Sequence, residues 1–540
     1  MEWLDRLAAE ILAPLAVWVL ASGLDDLFLD FAYLYLWCQS RLRSRRGASP
    51  RTPKGVATRL AAEPSIAILV PCWQEAGVIE EMLDTNLTAI EYHNYEVWVG
   101  VYPNDPATLE RVQRAQARFP RVRHVVCPNV GPTTKADCLN AVYDGLCAHE
   151  AVTGRHYEII LQHDAEDLIH PQSLGEASAQ CTHFDMVQFP VFPLATPLHW
   201  FTHGAYCDDF AESHLKELYV RSRLGGFVPS AGVGTAYRRE ALVKLSQAKG
   251  GRPFDPESLT EDYVVGLELH RLNCSQTLLH APSLPVDRAS PGTGEIRCGR
   301  GELVATRSYF PFGAQAAIRQ RARWVTGNAL QSWARFGWRA GPGQWYWLWR
   351  DRKGLTVAWT SALANALFLY GLARWLAQAE ARGWSLQSWW SENPVLAAIL
   401  WANLALVAWR QLVRAVCTFR IYGWLRGCSV PLRAPWGNVI NLCATMRALA
   451  TFARARVLGG PLIWSKTTHD YPRRGSLAGR LPVAVRLAPV AQRPRTRVVR
   501  FTPPLPRIEV RLVLPGWLAI HRRLSVTLEY RRVRRPAIRP

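Results

Sequence analysis

A long apolar stretch, residues 11–24, continues through Asp25, Asp26 and Asp30 to Trp37 and then meets Arg41, Arg43, Arg45 and Arg46. That length can cross a bilayer, and the arginines mark its cytoplasmic end. Carboxylates so close to a span are costly, so the three aspartates are expected to be paired or functional, or else to lie at the headgroup level. Glu2, Asp5 and Glu10 precede the run, the wrong charge for a cleaved secretory leader. Residues 1–40 therefore read as a retained anchor and 41–63 as a basic linker.

From Ser65 to about Gly251 the pattern changes to short β-rich runs alternating with helical stretches: IAILVP, EAGVIEEMLDTNL, YEVWVGVY, TLERVQRAQARF, RHVVCP, KADCLNAVYDGL, EIILQHDAED and MVQFPVFP. Strands alternating with helices of that length predict an α/β fold, a mostly parallel sheet covered by helices on both faces. Ligands of such sheets bind beyond the carboxyl ends of the strands. Past Trp324 the chain becomes apolar again, and residues 354–376 and 394–417 are each long enough to span. Only Arg382 lies between them, whereas Arg410, Arg414, Arg420, Arg426 and Arg433 crowd the far side, which puts the folded segment and the tail in the cytoplasm. The Trp-dense residues 331–352 and the amphipathic residues 438–458 suit the membrane surface.

With 540 residues, 49% of them hydrophobic, the chain can bury a full core. The formal charge of +21 changes the picture less than it suggests, because residues 473–540 hold seventeen arginines against Glu509 and Glu529. This Pro-punctuated tail, 461–540, reads as a solvated arm whose natural partner is anionic lipid, with no nucleic acid expected. Twelve cysteines without a C-x-x-C pair exclude a zinc ribbon or a thioredoxin-like motif, and reduced thiols are expected.

The candidate chemistry falls at strand ends. VPCWQEAG supplies Pro71 and Glu75, and VYPNDP supplies Asn104 and Asp105, which can bond a nucleobase or ribose or simply form a turn. GPTTKADCLN puts Lys135 and Asp137 at a helix start, where a cation and free backbone N–H groups can receive a phosphate. An apolar run ending in Asp164-Ala165-Glu166-Asp167 offers hard oxygen ligands suited to Mg²⁺ or Mn²⁺, or else a solvated acidic turn. His163 reads as a packing or hydrogen-bonding residue and not as a third metal ligand. FVPSAGVGTAYRRE has Gly232 and Gly234, which allow a ligand close to the backbone. In SLTEDYVVGLEL, Glu261 and Asp262 open a helix, and a carboxylate there can act as general base or serve as a helix cap with Thr260. Finally, Gln320, Arg323 and Trp324 sit at i, i+3 and i+4, so an amide, a permanent cation and an aromatic surface share one helical face.

The ordered series Pro71/Glu75, Asn104/Asp105, Lys135/Asp137, Asp164/Glu166, Glu261/Asp262 and Gln320/Arg323/Trp324 resembles the family 2 glycosyltransferases, and SGLDDLFLDFAY, VYPNDPAT, QHDAEDLIHP, VGTAYRR, RQRARWVTGN and WSKTTHDYP resemble the NfrB-type (phage adsorption protein B-like) membrane subgroup. The resemblance covers about residues 15–472. It implies a GT-A domain over 64–330, inserted between membrane helices, with 331–460 holding interfacial helices and two spans. It also implies a nucleotide-sugar donor, Mg²⁺ or Mn²⁺ on Asp164 and Glu166, Asp262 as base, and Gln320, Arg323 and Trp324 as a clamp for diphosphate and acceptor. Glu166 stands where the family has a second Asp, so Asp167 is a substitute ligand; Asn104 and Asp105 share the nucleobase contact. Subgroup members often continue into a regulatory domain associated with cyclic di-GMP, and the Arg/Pro-rich tail carries no D-x-S-x-x-G half of a PilZ-like motif.

The expectation is an inverting transferase of the bacterial inner membrane that extends an exopolysaccharide, with an outer-membrane export or receptor partner left open. The rivals are transfer of one sugar to a polyprenyl phosphate lipid and a non-catalytic assembly or phage-receptor component.

Overall fold

β-Branched and apolar residues that alternate in side build the central sheet of the computed structural model, which describes residues 2–45, 63–283, 302–338, 341–378, 393–459 and 470–472. Strand β1 (Ile66–Pro71) lies between β2 (Tyr95–Val101) and β4 (Ile159–Gln162), and β2 pairs with β3 (Val122–Val126), all parallel. The sheet extends past β4 through β7 (Thr235–Arg238), β5 (Met186–Gln188) and β8 (Gln276–Leu278), with β7 antiparallel to both neighbours. Ile66, Ile68 and Val70 enter one core layer with α2 (Ile79–Ala89), α3 (Pro106–Arg118) and α5 (Ser173–Gln180). Ala67 and Leu69 enter the opposite layer with α4 (Lys135–Thr153), α8 (Arg239–Ala248) and α9 (Glu261–Arg271), the period-two alternation expected of a sheet covered on both faces.

The sequence MVQFPVFP, read as one strand, forms two. β5 stops before Phe189-Pro190, and β6 (Val191–Pro193) pairs instead with β9 (Thr306–Ser308) in a separate two-stranded sheet. Pro190 has no N–H to give a ladder, and its carbonyl accepts from the Thr306 amide. Helix α6 (Phe201–Glu212) passes through a π-helical segment, Ser213–Glu217, into α7 (Leu218–Arg223). Helix α10 (Ala314–Trp324) does the same, through Val325–Gln331 into α11 (Ser332–Phe336).

Among the described residues, three helices are long and apolar enough to cross a membrane: α1 (Glu2–Arg45), α12 (Pro342–Gln378) and α13 (Pro394–Tyr422). The Trp-dense segment expected at the membrane surface is partly the first turns of α12 itself. α14 (Trp424–Cys428) and α15 (Val430–Leu458) follow, so the helix expected over 438–458 begins earlier, at Val430. The aspartates of α1 are paired. Asp25 takes Lys353 at 2.8 Å and also Arg350, Asp26 takes Arg350 at 3.2 Å, and Asp30 takes Lys216 at 2.6 Å. The linker residues 46–62 and tail residues 473–540 lie outside the described residues. Within the expected tail, Tyr471 is buried in the sheet core beside Ile66-side residues, which moves this part of 461–540 out of a solvated arm.

Candidate active site

The carboxyl ends of β1 and β4, the start of α4, the loop ahead of β7, the start of α9 and the end of α10 converge on one cavity of about 470 Å³. Pro71, Glu75, Lys135, Asp164, Glu166, Glu261, Asp262, Gln320, Arg323 and Trp324 all line it. Residues as far apart in the chain as Pro71 and Trp324 thus face one space.

Lys135 is its charge centre. The ammonium lies 2.5 Å from Asp164 Oδ1 and donates to the Gly232 carbonyl at 3.2 Å. Burial opposes its charge, but Asp164, Glu261 and Asp262 outweigh burial and hold it above the usual lysine range. The helix beneath it is capped reciprocally: Thr134 Oγ1 accepts from the Asp137 amide at 3.2 Å, and Asp137 Oδ2 accepts from the Thr134 amide at 3.3 Å. Asp137 therefore sets the position of Lys135 and does not line the cavity.

Glu261 and Asp262 occupy the first turn of α9, where carboxylates suit the helix dipole. Thr260 holds the cap position but makes no side-chain cap bond. Burial and then the Asp262 charge push Glu261 up to about 7. Burial also raises Asp262, against the pull of Lys135 and Arg323. A carboxylate raised in this way is a stronger base than a surface aspartate, and Asp262 faces the cavity. The backbone makes room for it: Gly232 has φ +71, and a Cβ there would stand 2.6 Å from Asp262 Oδ2 and 3.2 Å from Lys135 Nζ. Gly234, at φ +57, is needed for a different reason, since a Cβ there would run into Thr306.

The acidic turn after β4 is held from behind. Asp167 Oδ2 accepts from the Asp164 amide at 3.0 Å and pairs with His163 Nδ1 at 2.9 Å, both side chains being buried. This engages one oxygen of Asp167, the residue offered as a substitute ligand, in shaping the turn, and of the two roles expected for His163, packing or hydrogen bonding, the bond to Asp167 is made. Asp164 and Glu166 present two hard carboxylates to the cavity. Among the described residues no cluster of three His, Cys, Asp or Glu is arranged to hold a metal alone. The donor set fits a Mg²⁺ or Mn²⁺ ion that completes its shell with substrate phosphates, not a self-contained protein site.

Asn104 and Asp105 do not line the cavity. Asn104 makes two bonds to Gly131, donating to its carbonyl at 2.7 Å and accepting from its amide at 2.8 Å. Asp105 caps α3 and accepts from the Gln74 amide at 2.6 Å, holding that residue at a left-handed φ of 55. Both side chains thus shape the loops that carry Glu75 and Thr133. On the α10 side, Gln320 Oε1 and Arg323 Nε are buried without a hydrogen-bond partner among the described residues, while Trp324 packs against Tyr206, Phe210 and Phe310.

Residues 64–327 match the family described as glycosyltransferase like family 2. This segment is a family 2 glycosyltransferase domain of GT-A-like fold. Its chain is similar to bacteriophage adsorption protein B of Escherichia coli strain K12, 36% identical over 477 residues, which are 87% of this chain and 63% of the relative. Bacteriophage N4 adsorption protein B of Escherichia coli O157:H7 matches to the same extent, so the chain spans about 63% of the length of these curated relatives. Among solved structures, the mannosyltransferase PcManGT of Pyrobaculum calidifontis, in complex with GDP-Man and Mn²⁺, aligns with TM-score 0.45 at 17% identity, over 81% of this chain and 99% of that one. Residues 1–349 of TarS from S. aureus, with UDP-GlcNAc, align with TM-score 0.31 at 13% identity, over 76% and 97%.

Several residues of the glycosyltransferase site carry no motif. Gln188, fully buried in β5, donates to the carbonyls of Val233 and Gly234 and accepts from the Ala231 amide at 2.8 Å, fixing the Gly232 loop. A lone amide in an apolar strand run was the available signal. Asp351 of α12 and Asp470 also line the cavity, and Asp351 accepts from Tyr263, the neighbour of Asp262. They come from far along the chain, and no local pattern points at the site.

Proposed function

We propose that the chain is a membrane-anchored, inverting glycosyltransferase that moves a sugar from a nucleoside-diphosphate donor to a growing exopolysaccharide. The observation that carries this reading is the single cavity on which Lys135, Asp164, Glu166, Asp262 and Arg323 converge. Asp262 takes the proton from an acceptor hydroxyl as that oxygen bonds to the anomeric carbon. The bond from that carbon to the diphosphate breaks on the opposite face, so the centre inverts. Arg323 faces the charge that develops on the leaving diphosphate, and Lys135 opposes the burial that raises Glu261 and Asp262. Asp164 and Glu166 would hold Mg²⁺ or Mn²⁺, which when bound neutralises diphosphate charge. Trp324 and Phe310 offer aromatic faces to a sugar ring.

The three membrane-length helices and the arginine bias support a bacterial inner-membrane location with the catalytic domain in the cytoplasm. The relatives' name, bacteriophage adsorption protein B, fits a product that reaches the cell surface, where an outer-membrane partner would receive it. A lipid-linked acceptor is the second reading. It is favoured by Leu29 of α1 and Trp347 of α12, apolar residues of two membrane-length helices that form part of the cavity wall.

The test uses the full chain in lipid nanodiscs with a panel of nucleotide sugars and Mn²⁺, scoring nucleoside-diphosphate release and sizing the product. Release with long product supports polymer extension. Single-sugar lipid product selects the second reading. No release with any donor from folded protein removes the enzymatic reading.

A further inference from the structure

Arg321 lies between the clamp residues Gln320 and Arg323 but faces away from the cavity. Its guanidinium pairs with Asp209 of α6 at 2.8 Å, donates to Asn441 of α15 at 2.6 Å, and stacks on the Tyr206 ring at 4.3 Å. Asp209 in turn takes Arg414 of α13 at 3.1 Å, and Arg414 also takes Glu212 at 2.7 Å. Glu212 takes Lys216 of the π-helical segment at 3.0 Å, and Lys216 takes Asp30 of α1 at 2.6 Å. Six side chains of alternating sign thus form an unbroken line from the anchor helix to the clamp helix.

Three features make this line more than surface pairing. Its members are largely withdrawn from solvent, with side-chain exposures from 4% at Lys216 and Glu212 to 26% at Asp209. Such pairs are not screened away, and truncating one member strands a buried opposite charge. None of the six lines the cavity, so none can touch substrate directly, whereas Gln320, Arg323 and Trp324 all do. Each link joins different elements or crosses a helix irregularity: α1 to the π-helical segment, that segment back to α6, α6 to α13, and α6 to α10. The neighbouring acid Asp208 holds α15 in the same manner, through Arg433 at 2.8 Å.

We infer that the line Asp30–Lys216–Glu212–Arg414–Asp209–Arg321 is a positioning device that sets the clamp helix α10 from the membrane-length helices α1 and α13. Arg414 is its key member, because one guanidinium holds two acids of α6. The inference rests on the reading of α10 as the acceptor and diphosphate clamp. Movement or tilt of α13 against the catalytic domain is transmitted to Trp324 through fixed charges.

The test compares wild type with Arg414→Gln and Arg414→Lys, as full chains in nanodiscs, by backbone hydrogen exchange and by turnover. Exchange is followed over α10 and, as control, over β1 and β2. Faster exchange confined to α10 in Arg414→Gln, with Arg414→Lys intermediate, is expected. So is a fall of about tenfold or more in kcat for transfer, with donor KM changed less than about twofold, the pattern of a lost transition-state contact. Exchange in α10 equal to wild type overturns the inference, as does an equal loss of protection across the sheet. If Arg414→Gln fails to fold, Arg414→Lys alone decides by the same criteria. Should wild type transfer no sugar at all, the functional reading fails while the exchange result still judges the coupling.

Discussion

The Tyr263 hydroxyl donates to Asp351 Oδ2 at 2.6 Å, which ties the residue after Asp262 to the helix α12. Asp351 is held in turn by Arg221 through two bonds of 2.7 and 3.0 Å. Replacing Asp351 by Asn leaves Arg221 short of its counter-ion in a mostly buried setting. The expected cost is about 2 kcal/mol of stability, given that Asp351 keeps some solvent contact. A thermal melt in detergent measures it, and an unchanged midpoint would show the bridge to be inert.

Asp262→Asn retains the shape and the bond to the Tyr263 amide but cannot accept a proton. Transfer should fall by about 10²–10⁴, the usual contribution of a general base, with donor binding retained. Calorimetric titration of the donor beside a turnover assay separates the two. Wild-type turnover would remove Asp262 from the role.

Stability and turnover should run in opposite directions with pH. Glu261 is pushed up to about 7 by burial and by Asp262, and Asp262 is raised by burial. Groups raised in the folded state bind their protons more tightly there than in the unfolded chain. For Glu261 that stabilisation is full below the unfolded carboxyl range and is lost as pH rises through about 7, and for Asp262 it is lost as pH rises above the ordinary aspartate range. Asp262, as the proposed base, needs its charge, so transfer rises as pH climbs through its raised range. Melting midpoints and rates measured on one pH series would reveal parallel slopes if this account is mistaken, and Glu261→Gln should flatten the stability slope.

Lys135→Met removes the cation that lowers both Glu261 and Asp262. The pH–rate profile should move toward alkaline pH, and the remaining activity should recover partly as pH rises. A profile that drops in height without moving would assign Lys135 to substrate contact alone.

Gly232→Ala adds a methyl group against Asp262 and Lys135 at a left-handed backbone position. An activity loss of at least about tenfold is expected, since an ångström-scale displacement of a reacting group carries about that penalty or more. Normal activity would mean that the loop yields freely, contrary to its three bonds with Gln188.

The sheet and its acidic strand ends were legible because period-two runs and helical runs alternate plainly from Ile66 onward. The site motifs were legible as residue types, since Asp164, Glu166, Asp262 and Arg323 do face one space. What local pattern misassigned was the direction of side chains in loops. Asn104, Asp105 and Asp137 have the chemistry to bind a nucleotide but bond to Gly131, Gln74 and Thr134, contacts set by how loops pack. Gln188, Asp351 and the α6 acids were hidden for another reason: their partners lie in distant helices. CDDFAE shows three acids close together in a helix that is otherwise apolar, a sign of buried pairing that does not name its partners.

Tyr471 fills part of the same core that begins at Ile66, although α12, α13 and α15 lie between the sheet domain and this residue in the chain. During synthesis the ribosome must therefore deliver both later membrane-length helices before Tyr471, the last side chain of that core among the described residues, exists. An unfinished polypeptide carries every residue of the 64–327 domain and still lacks a piece of its interior. Completion of the interior is thereby deferred until the two later membrane-length helices have been made, so the sheet domain and the membrane portion are finished together.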